Sequence, residues 1–127
     1  MSEQKAIAIF NTVVRSRHQA NPPREFLTSA EAAGHVHDPL ESFHVYGYGQ
    51  CCCTSAEVIG LAQYLGLEAR GRDISRHSVP EIFFADSWHL VDGSVMNYHV
   101  KPDGTLASVD EIHRAVAEWS KAHPESQ

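Results

Sequence analysis

Apolar positions follow a helical period up to Gly66, alternate beyond it, and return to a helical period after Ser108. Between Ala6 and Arg17, Ile9, Phe10, Val13 and Val14 share one face and predict a helix. Asn21-Pro22-Pro23 is expected to end it, since proline has no N–H and disfavours helix just before itself. From Arg24 to Pro39 no period emerges; Ser29 to Ala33 predicts one helical turn closed by Gly34, and His35 to Pro39 reads as loop. Ser42 to Tyr46 is an aromatic, partly β-prone approach to Gly47 and Gly49. Val58, Leu61, Ala62 and Leu65 then recur at three and four, with Ile59 widening the face. This predicts a helix that opens near Cys51-Cys52-Cys53-Thr54 and stops at Gly66.

Beyond Gly66 the pattern alternates. Strands are predicted over Leu67 to Ser75, His77 to Phe84 and Trp88 to Asp92, with Asp86-Ser87 in the turn between the last two. Met96 to Val100 reads as a fourth strand, and Pro102-Asp103-Gly104 as a turn. Ser108 and Glu111 have capping-box spacing and open a last helix, with Ile112, Ala115, Val116 and Trp119 as its apolar stripe and Pro124 just beyond its end. Helices precede sequential antiparallel strands, so the expected class is α+β, a central helix packed on a small antiparallel sheet.

Composition narrows the function classes. The 127 residues suit one domain spanning 1–127, whole or excised from a longer protein. With 43% apolar and 20% charged residues, disorder is not expected. Ten basic and 16 acidic residues give a formal charge of −6 with no basic run, which argues against a nucleic-acid partner. No apolar stretch reaches spanning length and Met1 to Lys5 does not read as a signal peptide, so no membrane partner is expected. The three cysteines are adjacent and form no long-range disulfide framework, which suits a reducing, cytoplasmic location. Most of the nine histidines are expected at the surface or half-buried.

Candidate chemistry centres on Cys51. A thiol in the first turn of a helix meets unsatisfied N–H groups and the positive end of the dipole, and both favour the nucleophilic thiolate. Such a thiol needs a base, and the base an orienting partner. His77, Val79 and Glu81 share one face of their strand, and Trp88, Leu90 and Asp92 share one face of the next. A connecting turn with an even number of residues brings His77 and Asp92 to one side; an odd turn separates them unless a bulge restores the register. Glu81 is expected in a structural hydrogen bond or salt bridge, Trp88 in the core, and Cys52 and Cys53 as helix-face or core packing. A zinc site using His35-x-His37 and the cysteines is the alternative chemistry. Without a Cys-x-x-Cys pair, neither a metal nor any other cofactor is expected.

Gly49-Gln50-Cys51, Leu65-Gly66-Leu67-Glu68-Ala69-Arg70, His77 with Glu81 four later, and Trp88-His89-Leu90-Val91-Asp92 together resemble the transglutaminase-like core, as found in bacterial transglutaminase-like domains. The likeness covers about residues 46 to 94. It implies a papain-like fold and a Cys51, His77, Asp92 triad. The pattern departs from the larger relatives in having no tryptophan before Trp88 to help bind an oxyanion, which leaves Gln19, His44, Tyr46 and Gln50 as side-chain donors beside the Cys51 backbone N–H. Ser78-Val79-Pro80 stands where the family often has an aromatic residue, and Pro80 hints at an edge or a bulge. Nothing resembles the calcium sites of animal transglutaminases. The expected activity is a thiol hydrolase that cleaves an amide bond in a peptide or protein through an acyl-enzyme. Transglutaminase-type acyl transfer to an amine and a non-catalytic peptide- or partner-binding module are the alternatives.

Overall fold

The first helix forms because Ala6, Ile9 and Val13 bury one stripe, while Glu3 and Arg15 sit at the ends where the helix dipole favours their charges. The computed structural model describes residues 1–21, 24 and 29–126, with backbone alone at 32 and 33. Helix α1 covers Ser2–Ser16, four residues earlier at its start than the apolar pattern indicates. Pro22 and Pro23, its expected stop, lie outside the described residues. Within them the helix already ends at Arg17, whose backbone is extended (φ −135°, ψ 149°). Strand β1, His18–Gln19, pairs in parallel with β2, Tyr48–Gly49.

Helix α2, Ala30–Val36, runs through Gly34 rather than closing there. Asp38 then caps the short turn α3, Pro39–Glu41, accepting from the N–H groups of Leu40 and Glu41 at 2.9 and 3.1 Å. The expected β-prone stretch Ser42–Tyr46 is instead a π-helical turn, ended by Gly47 at φ 65°. The Asp38 cap starts helical hydrogen bonding that carries into it, with Ser42 N donating to Asp38 O at 2.8 Å.

Helix α4, Cys51–Tyr64, is the central element. Its buried residues are Cys53, Thr54, Ser55, Glu57, Val58 and Ala62, so polar side chains share the interior with the predicted stripe. Gly66 (φ 74°) ends it as expected. Midway, Gly60 lets Pro39 lie directly on the helix: a Cβ there would stand 2.4 Å from Pro39 Cγ. Gly60→Ala should therefore destabilise the chain by about 1–3 kcal/mol despite alanine's better helix propensity. Urea unfolding read by circular dichroism would check this, with a lower midpoint expected.

Strands β3 (Glu68–Ile74), β4 (His77–Phe84) and β5 (Ser87–Leu90) form an antiparallel meander in the order β3-β4-β5. Both connections are two-residue turns, Ser75-Arg76 and Ala85-Asp86, with all four residues at positive φ (47°, 73°, 48° and 59°). The third strand stops at Leu90, short of the expected Asp92. The fourth, Met96 to Val100, is absent; only the isolated bridges Asp92↔Asn97 and Val100↔Leu106 form there. The Asp-Gly-Ser turn and Met96 at φ 53° break the extended path.

Helix α5, Val109–Ala122, opens with the expected capping box at Ser108 and Glu111. Of its predicted stripe, Val116 and Trp119 remain more than half exposed at 56% and 53%. The main core gathers Ala6, Ile9 and Val13 from α1, Val58 and Ala62 from α4, Ile82 and Phe84 from β4, and Val91 and Leu106. The class is α+β, and none of the helices among the described residues is long and apolar enough to cross a membrane.

Candidate active site

Strand β4 outruns β5: its ladder with β5 begins at Glu81↔Leu90, and the last link is Val91 N to Pro80 O at 3.2 Å. Pro80 thus sits where the ladder ends, and its missing N–H leaves no gap in it. The edge freed at Ser78 is taken by the start of α4. The Ser78 N–H donates to the Cys51 sulfur, and Ser55 Oγ, one helical turn after Cys51, donates to Ser78 O at 2.8 Å. These two bonds seat the first residue of α4 against the first residues of β4.

His77 opens β4 directly after the Ser75-Arg76 turn. Its Nε2 lies 2.6 Å from Asp92 Oδ2 across the meander, so Nδ1 is the ring nitrogen left to meet the Cys51 thiol. The two-residue turn at Ala85-Asp86 is even, and His77 and Asp92 stand on one side. Asp92, 3% exposed, is held from behind: Oδ1 accepts from Ser94 N at 2.9 Å and Ser94 Oγ at 2.7 Å. Gly93 permits this seat, because a Cβ there would lie 2.9 Å from Val13 Cγ1.

The electrostatics follow the contacts. Burial raises the Cys51 pKa, but the Ser78 N–H and the His77 imidazole more than reverse that, and the net shift is downward. Burial lowers the pKa of His77, and its hydrogen bonds to Asp92 and Cys51 outweigh this, so the net shift is upward. Both directions favour a thiolate–imidazolium pair.

Glu81, fully buried, is structural. Oε2 accepts from Arg70 Nε at 2.8 Å and Oε1 from the Val109 N–H at 2.8 Å, which ties the sheet to the start of α5. Trp88 is half-buried rather than core, with the Arg70 guanidinium 4.0 Å above its ring. His89 is an exception to the surface histidines: it is 3% exposed, stacks on Phe84, and burial pushes its pKa down. Gln19 reaches the neighbourhood through the β1–β2 register, opposite Gly49, two residues before Cys51.

Arg17, Glu57, Ser55 and Ser94 support the site without having been candidates. Arg17 pairs with Glu57 in the interior and donates to Ser42 Oγ at 2.7 Å. Only Ser94 has a local signature, two residues after an aspartate in a turn. Cys51 and His77 line neither the 260 Å³ cavity bounded by Arg17, Gln19, Thr54, Gly93 and Ser94 nor the 640 Å³ groove along α5. Ser94→Ala should slow acylation of Cys51 about tenfold, the loss of one charge-assisted bond of roughly 1.5 kcal/mol, without unfolding the chain. Stopped-flow acylation with a chromogenic thioester would measure it.

No protein-family model, curated protein or solved structure matches the chain.

Proposed function

We propose that the chain is a thiol-dependent amide hydrolase of transglutaminase-like, papain-like architecture, acting through Cys51, His77 and Asp92. The observation that carries this reading is the 2.6 Å His77–Asp92 contact on the ring nitrogen opposite the one that meets a helix-opening thiol. In this mechanism the Cys51 thiolate attacks the amide carbon. His77 passes its proton to the departing amine nitrogen, and a thioester forms on Cys51. A water molecule then gives a proton to His77 and attacks the thioester. The carboxylic acid leaves and the thiol is restored. The Cys51 backbone N–H, at a helix start with no intrahelical acceptor, faces the developing oxyanion.

Partial alkylation with iodoacetamide followed by peptide mass spectrometry tests the nucleophile. Cys51 should react ahead of Cys52 and Cys53; preferential labelling of either neighbour would overturn the assignment. Intact-mass analysis with acyl donors, with and without a fluorescent primary amine, then separates hydrolysis from acyl transfer. Free acid as the product supports hydrolase, and amine incorporation supports transferase.

A further inference from the structure

The three consecutive cysteines do not share one environment. Cys51 faces β4, whereas Cys52 and Cys53 turn toward the segment between α2 and α3. There the ligand atoms of His37, Cys52 and Cys53 all lie within 4.8 Å of one another, and the two sulfurs are 4.0 Å apart. We propose that His37, Cys52 and Cys53 bind one zinc-type divalent cation, at a site separate from Cys51 and His77.

The geometry is near what such an ion requires. Two thiolates about 2.3 Å from a tetrahedral zinc stand about 3.8 Å apart, so the sulfurs need to close by only a few tenths of an ångström. The histidine is delivered by a clamped segment. Asp38, the next residue, caps α3, and Pro39 packs on Gly60 of the helix that carries the cysteines. His35, the other member of the His-x-His pair, turns away to Glu41 at 3.3 Å.

Charge selects the ion. Arg17 lies beside this group: its Nη2 and the Cys53 sulfur both crowd the space a Cβ at Gly49 would fill. Its charge is matched by Glu57. Two thiolates therefore leave an excess of two negative charges, which a divalent cation cancels and a monovalent one does not. Sulfur and imidazole donors favour zinc over magnesium or calcium. Binding displaces the protons of both thiols, and Arg17 can then donate to the bound Cys53 sulfur, a supporting contact of the kind that orients metal ligands. Three protein ligands leave a fourth position for water on the half-exposed side of Cys52 and His37.

The test uses the full chain, stripped with a chelator and titrated with Co²⁺ and with Zn²⁺. One equivalent per chain is expected, with thiolate-to-cobalt charge transfer and the strong visible bands of tetrahedral cobalt. His37→Ala and Cys52→Ser should each weaken zinc binding by at least about tenfold, and Cys51→Ser should leave it intact. A cobalt spectrum without thiolate bands, substoichiometric zinc, or loss of binding in Cys51→Ser alone would overturn the proposal. The spectrum of the unmutated chain decides the matter even if a variant fails to fold.

Discussion

Asp92→Asn should slow acylation of Cys51 by about three to four orders of magnitude while the fold persists. The amide is nearly isosteric with the carboxylate, so the buried seat behind His77 is kept. Its orientation is dictated by Ser94, whose N–H and hydroxyl both point at the inner oxygen at 2.9 and 2.7 Å. The asparagine oxygen must stay there to accept them, which turns its NH₂ group toward His77 Nε2. That nitrogen becomes an acceptor, the ring proton moves to Nδ1, and His77 can no longer take the proton of Cys51. The pH dependence moves in a defined sense. Burial lowers the His77 pKa, and the Asp92 and Cys51 contacts together raise it above the ordinary value. Without the Asp92 bond the imidazolium is lost at lower pH, the Cys51 thiolate loses its partner, and the rise of alkylation rate shifts to higher pH. Acylation kinetics and iodoacetamide rates against pH, with circular dichroism as the check on folding, measure both effects. An unchanged profile in a folded variant would remove Asp92 from the site.

Glu57→Ala should cost about 3–5 kcal/mol of stability, a large part of the 5–15 kcal/mol a domain has. Glu57 is 1% exposed and Arg17 is 9% exposed, and each is the other's charged partner. Removing the carboxylate leaves a buried guanidinium that keeps its bond to the Ser42 hydroxyl but has lost its countercharge. Replacing both, as Arg17→Met with Glu57→Leu, should recover most of the loss, because the double change abandons no buried charge. Guanidinium unfolding of both variants is the measurement. A loss below about 1 kcal/mol in Glu57→Ala would place the pair among weak surface bridges.

Much of the fold is legible where local rules act alone. Ser108 and Glu111 specify their capping box within four residues, and Gly66 ends α4 because glycine adopts the left-handed conformation freely. The His77–Asp92 juxtaposition follows from alternation across a turn of even length. What escaped was decided at long range. Arg17 and Glu57 are 40 residues apart, and no local pattern marks either as interior. Ser42 to Tyr46 is helical because a cap at Asp38 starts the turn, against the propensity of its aromatics. The α5 stripe reads as a buried face, yet it is the start of the helix, Val109 with Ile112, that packs against Val79 and Leu90, while Val116 and Trp119 lie open. The position of His37 was the least legible of all, since it depends on where α2 and α3 settle on α4.

The two-residue turns of the meander bear on how the chain folds. Contacts inside β3-β4-β5 close short loops, so they require little loop entropy and are expected to form early. His77 belongs to this unit and Asp92 follows it by two residues, only 15 residues from His77 along the chain. Cys51 does not: it reaches them only when α4 docks along the free edge of β4. The proton-handling half of the site is thus expected to precede the nucleophile. During synthesis the chain would carry an assembled histidine–aspartate pair while its thiol, not yet apposed to that pair, is still a poor nucleophile.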